Sequence, residues 1–200
     1  LEIVLPWGFP AWIPAFAGMT GEVWLLNPIK QRIQIDQAKN MTEAPGGLQL
    51  ADPDVQLIDA NGDGRADITW TCVGDNTVYM WFSTGNDFAQ QKVGNFSAGW
   101  SLVSGSDVDG NGKSDLLWYQ QTSGTLNVWL MDGASLAGNF SRTVSPACTP
   151  KGFGDYGADG RSDVVWTCSG DNTVYLWTST GSGYTQSFVG NYSPGWVFVK

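Results

Sequence analysis

Bulky apolar side chains alternate with small or polar ones in short runs along most of the chain. The clearest are TVYMWF at 77–82 and NVWLMD at 127–132, and a period of two is the pattern of a β-strand with one face buried. In the stretch that begins near residue 54 the pattern predicts four short strands, at about 54–58, 67–72, 77–82 and 88–93. Between them lie an acidic loop, VGDN and STGND, all built from turn-forming residues.

The same block then recurs. Shifting 59–103 by 96 residues lays it on 155–199 with 26 identical positions in 45, too many for chance similarity of strands. TCVGDNTVYMWFSTG becomes TCSGDNTVYLWTSTG, and VGNFSAGW becomes VGNYSPGW. A middle unit follows the frame more loosely. It keeps Trp118 and Trp129 in register with Trp70 and Trp81, and with Trp166 and Trp177, so the units alternate A-B-A at a spacing of 48 residues.

A period in this range calls for a repeat architecture. Four-stranded units with recurring aromatics read as the blades of an all-β propeller, in which each blade buries one sheet face against the next. Three full blades are expected over 50–200. A partial or degraded blade is expected at 21–49, where GEVWLLN resembles LNVWLMD. Because a ring usually needs at least four blades, a partial or truncated propeller completed by missing blades is expected, the alternatives being a strained four-bladed ring or closure by self-association. Residues 1–20 are apolar with three prolines and no basic stretch, which is not the pattern of a signal peptide. WIPAFAGMTG resembles translated interspersed repeats of some bacterial genomes. That segment is either foreign to the fold or an unusual leading strand.

Composition narrows the function classes. Ten basic against 19 acidic residues give a net charge of -9, which disfavours nucleic acid as a partner. No apolar run is long enough to span a membrane as a helix. With no histidine, a Ser-His or Cys-His nucleophile pair is excluded within the chain. The expectation is a non-catalytic protein.

Nine of the carboxylates fall in three loops, DANGDGRAD at 59–67, DVDGNGKSD at 107–115 and DYGADGRSD at 155–163. Positions 1, 3, 5 and 9 of such a loop can converge, with the carbonyl of position 7 as a further oxygen. Hard oxygen donors in a flexible loop suit Ca²⁺. The first set is Asp59, Asn61, Asp63, the Arg65 carbonyl and Asp67. The second is Asp107, Asp109, Asn111, the Lys113 carbonyl and Asp115. The third is Asp155, Asp159, the Arg161 carbonyl and Asp163, weakened by Gly157 at position 3. The alternative is a set of ordinary acidic turns. An EF-hand is a poor fit, because no glutamate stands at position 12 of any copy.

DANGDGRADITW, DVDGNGKSDLLW and DYGADGRSDVVW resemble the FG-GAP/VCBS repeats, the calcium-bearing blades of integrin α-subunit heads and of many secreted bacterial and fungal propellers. The resemblance covers about 50–200. It implies a loop that joins two strands of a blade and holds structural Ca²⁺ on the residues just named. The FG-GAP signature itself survives poorly, KGFGDYG being its nearest echo.

Cys148 and Cys168 flank the third loop. Adjacent strands could join them as a disulfide outside the cytoplasm; three buried free thiols are the alternative. Cys72 matches Cys168, but its partner position holds Asp52. Asn95, Asn139 and Asn191 open N-x-S sequences, and the repeat equivalence of Asn95 and Asn191 marks them as turn residues. Two functional readings follow, with a secreted or cell-surface location in a bacterial setting. One is a lectin-like or adhesive recognition module for a glycan or protein ligand, with Tyr156, Trp100 and Trp196 as candidate contacts. The other is an accessory propeller that positions a secreted enzyme's catalytic domain.

Overall fold

The computed structural model describes residues 55–72 and 74–196, together with the backbone of Glu22–Val23 and Lys39–Asn40. The chain divides into two compact units, Leu1–Leu50 and Ala51–Lys200. In the first, β1 (Glu22–Val23) pairs antiparallel with β2 (Lys39–Asn40). The leader expected at 1–20 lies outside the described residues, as does most of the partial blade expected at 21–49.

The second unit is all-β, with no helix among the described residues. It holds three four-stranded antiparallel sheets, each a simple meander. The first sheet is β3 (Val55–Ile58), β4 (Asp67–Cys72), β5 (Thr77–Ser83) and β6 (Phe88–Asn95). The second is β7 (Ser101–Ser106), β8 (Asp115–Gln120), β9 (Thr125–Asp132) and β10 (Ser135–Thr143). The third is β11 (Cys148–Gly154), β12 (Asp163–Cys168), β13 (Thr173–Ser179) and β14 (Tyr184–Asn191). The strands predicted for the first unit fall within two residues of those observed. Each acidic loop joins the first and second strands of its sheet.

Alternation explains the packing. In β8, Leu116 and Trp118 point to one face and Leu117 and Tyr119 to the other, and all four are buried. The first face packs with Leu102 and Met131 against Ile58, Ala60, Val78 and Met80 of the first sheet and its loop. The second packs with Leu126 and Val128 against Val164, Trp166, Trp177 and the cysteines of the third. The middle sheet is therefore covered on both sides, which is why β8 and β9 carry bulky residues at successive positions. Tyr119 adds an edge contact to the Trp166 ring at 5.5 Å and donates its hydroxyl hydrogen to the Cys148 carbonyl at 2.6 Å.

Where β3 meets β7, a β-carbon on Gly105 would lie 2.1 Å from Ile58 Cγ2. Only glycine lets these first strands approach so closely. At the far end of the third sheet, Cys148 and Cys168 face each other across β11 and β12 and are disulfide-bonded. Cys72 is free and half-buried; its expected partner position lies outside the described residues.

Candidate metal centre

The three loops share one internal design. The position 1 carboxylate turns inward and accepts backbone N–H groups of its own loop. Asp59 Oδ1 accepts from Gly62 (2.8 Å) and Asp63 (3.1 Å), and Oδ2 from Gly64 (2.9 Å). Asp107 repeats this with Gly110, Asn111 and Gly112, and Asp155 with Asp159 and Gly160. These bonds wrap the chain around the carboxylate, and the Gly160 amide is the main reason the Asp155 carboxyl sits below the usual range.

Position 9 opens the second strand and is fully buried in all three copies: Asp67, Asp115 and Asp163. Each of these carboxylates ties the loop to the end of the third strand. Asp67 accepts from Ala60 and Ser83 N–H at 3.0 and 2.7 Å. Asp115 accepts from Val108 (2.8 Å), Asp109 (3.3 Å) and Met131 (2.7 Å). Asp163 accepts from Tyr156, Gly157 and Ser179. Burial raises the Asp67 pKa and pushes that of Asp115 up to about 6, with the Asp109 charge adding to the second shift. Asp67 and Asp115 are thus desolvated carboxylates held by amides, with no cationic side chain on them among the described residues, an arrangement that costs free energy until a positive charge is brought near.

The basic residue at position 7 separates the loops. Arg65 reaches back to Asp63 at 2.9 Å and Arg161 to Asp159 at 3.1 Å, so position 5 is neutralised in the first and third loops. A backbone bond from Arg65 is the main reason the Asp63 carboxyl is lowered. In the second loop Lys113 instead pairs with Asp132, outside the loop. Here Asp107, Asp109 and Asp115 bring one oxygen each within 4.8 Å of one another, the only carboxylate trio so gathered among the described residues. Asn111 lies beside it, its side-chain N–H groups donating to Asp109 and to the Met131 carbonyl.

Of the residues named from the sequence, the second set thus converges on its carboxylates. The first has Asn61 at position 3, with its Oδ1 accepting from Asp63 N–H at 3.0 Å. The third has only Gly157 there. The donor set is oxygen throughout and fits a hard divalent cation, with no nitrogen or sulfur donor to favour zinc or copper.

The loops are also joined in series. Ser114 N–H donates to the Asp59 carbonyl at 2.8 Å, and Ser162 N–H to the Asp107 carbonyl at 2.6 Å. Ser179 Oγ donates to the Val108 carbonyl across the same boundary. Gly62 faces the Gly112 carbonyl so closely that a β-carbon would come within 2.7 Å of it.

Of the aromatic candidates, Trp100 packs against the core between the first and second sheets, whereas Tyr156 and Trp196 are exposed. Asn95 and Asn191 close turns by donating to the Asp75 and Asp171 carbonyls, the structural role expected of them. No helix among the described residues is long and apolar enough to cross a membrane.

Residues 59–118, spanning the first two loops, match the FG-GAP-like repeat family. No curated protein matches the chain. Among solved structures, a chain of the Photorhabdus luminescens Tc holotoxin pore aligns with a TM-score of 0.52 at 18% identity. The alignment covers 76% of this chain and 8% of that one.

Proposed function

We propose that this chain, which carries an FG-GAP-like repeat in a stack of propeller-type blades, is a calcium-clamped recognition module without catalytic activity. The observation that carries the reading is the trio Asp107, Asp109 and Asp115, gathered within 4.8 Å with no basic side chain on any of them among the described residues. Calcium would be held by these three carboxylates, with Asn111 and the Lys113 carbonyl completing the oxygen set. The ion supplies the positive charge that the buried Asp115 lacks. Asp59, Asn61, Asp63, Asp67 and the Arg65 carbonyl would form a second site. Asp155, Asp159, Asp163 and the Arg161 carbonyl would form the weakest, since Gly157 offers no side chain.

The disulfide supports an oxidising, extracytoplasmic location. Ring closure has a physical correlate at the third sheet. Val165, Val174 and Leu176 there are only half-buried, while the repeat-equivalent Leu117, Leu126 and Val128 are nearly or fully buried beneath the third sheet. A further four-stranded sheet would cover that face in a closed propeller.

Calorimetric titration of Ca²⁺ into chelator-treated protein, with Mg²⁺ as comparison, tests the metal assignment. Binding that is strongest in the second loop, and lost from it in Asp109→Ala, is expected. Absence of binding heat for either ion, with the fold intact, would leave only acidic turns.

A further inference from the structure

The repeat places equivalent positions at each junction between sheets, so the two junctions can be compared side chain by side chain. At the first, Phe96 follows β6 and stacks on Trp118 with centroids 4.9 Å apart. Trp118 in turn meets Trp129 at 5.1 Å. At the second, the position of Phe96 is taken by Val144. Its short side chain cannot fill the place of the ring, and a cleft of about 370 Å³ lies there, with Val144, Cys148 and Cys168 in its lining.

The walls of this cleft are specific to it. Arg142, whose equivalent in the preceding unit is Gly94, lies over the Trp177 ring at 4.4 Å. It donates to the Tyr184 carbonyl and to Gln186 Oε1. Trp177 Nε1 donates to the same Gln186 oxygen at 3.1 Å. In the first sheet Trp81 and Gln90 stand at the same two positions, yet the Trp81 N–H has no partner among the described residues. The network therefore depends on more than the repeat. It uses the Gln186 oxygen twice as acceptor. Arg65, Lys113 and Arg161 each pair with an aspartate, whereas the hydrogen-bond partners of Arg142 are neutral. Asp171, also in the lining, is fixed by the Thr173 N–H and hydroxyl at 3.2 and 2.6 Å. The half-buried Tyr175 ring adds an aromatic wall, braced edge-on by Phe188 at 5.8 Å.

We propose that the cleft between the second and third sheets binds a saccharide, and that Arg142, Asp171, Tyr175 and Gln186 are its contacts. This rests on the recognition reading above and assigns that reading a site. Sugar hydroxyls donate and accept at once, and a sugar ring presents a C–H face. The cleft offers donors on Arg142 and Gln186, an anionic acceptor on Asp171 and an aromatic ring on Tyr175. A purely anionic ligand would meet Asp171, and a purely cationic one Arg142. The volume lies at the small end of known ligand sites, which suits a mono- or disaccharide. Side chains locked by their own network before the ligand arrives are what a binding site needs.

The test uses a printed array of neutral and acidic saccharides and a protein array in parallel, then calorimetry with the tightest saccharide found. Val144→Phe, which restores the ring of the first junction, should abolish saccharide binding without lowering the melting temperature. Arg142→Gln should weaken binding about tenfold, the effect of losing one charged hydrogen bond, and keeps the test decisive if the phenylalanine variant misfolds. Saccharide binding that is equal in wild type and both variants would overturn the cleft and leave the recognition reading standing. Silence on the saccharide array alone would overturn the inference only, and silence on both arrays would remove the recognition reading as well.

Discussion

Asp115 separates a structural aspartate from a metal-binding one, because the two roles predict opposite outcomes for Asp115→Asn. The side chain is fully buried and accepts two short bonds, from Val108 at 2.8 Å and Met131 at 2.7 Å, and a longer one from Asp109. Stranding a buried amide costs roughly 1–3 kcal/mol, so Asp115→Ala, which strands the two short bonds, should lose about 2–6 kcal/mol from them alone. The charge has its own cost. Raising the carboxyl from 3.8 to about 6 corresponds to about 3 kcal/mol at pH 7, at roughly 1.4 kcal/mol per pH unit. Asparagine keeps one acceptor oxygen and removes that charge. In chelator, Asp115→Asn should therefore stay within about 1 kcal/mol of wild type. In calcium the two proteins should part. A site filled at a thousand times its Kd adds about 4 kcal/mol to the wild type, and the asparagine variant should lose the share due to the second loop. Urea unfolding followed by fluorescence of the 11 tryptophans, with chelator or with calcium, reads both differences. A loss above about 3 kcal/mol in chelator, with the calcium increment intact, would refute the reasoning and make Asp115 an amide acceptor only.

Three further outcomes follow from the same structure. In chelator, stability should rise as pH falls from 7 toward 4. The folded Asp115 carboxyl, at about 6, takes up its proton before the unfolded one at 3.8. Asp63 and Asp155, both held below the usual range, lose their stabilising share only below about pH 4; urea midpoints across this range, with calcium flattening the rise, check the sign. Reducing Cys148–Cys168, which closes a separation of 20 residues, should cost about 3 kcal/mol, seen as a fall of on the order of 10 °C in a melt with reductant. Gly105→Ala should cost roughly 1–3 kcal/mol through overpacking against Ile58, measurable by the same urea titration.

Much of this was legible in the sequence for a physical reason. Strands with one period, glycines at fixed offsets and a carboxylate at the head of each second strand are local features, and repetition amplified them until loops and strand limits could be read. The cross-strand disulfide was legible as an option, since Cys148 and Cys168 flank one loop, but its pairing depended on the register of β11 with β12. What escaped was set by choices between neighbouring sheets. Arg65 and Arg161 turn back onto their own loops, whereas Lys113 reaches Asp132; the three look interchangeable in sequence because the difference lies in what each can reach. The cleft was missed because it is a ring left out. Val144 in the column of Phe96 and Tyr192 was its only trace, and the aromatic residues first suspected, Trp100, Tyr156 and Trp196, stand out by size alone.

The most direct test of the calcium clamp is a crystal structure grown in calcium, with anomalous data collected at long wavelength. A clamp predicts an ion with oxygens of Asp107, Asp109 and Asp115 at about 2.3–2.6 Å. A second, weaker peak is expected in the Asp59–Asp67 loop. Well-ordered loops with the same amide-to-carboxylate bonds and no anomalous peak would contradict it.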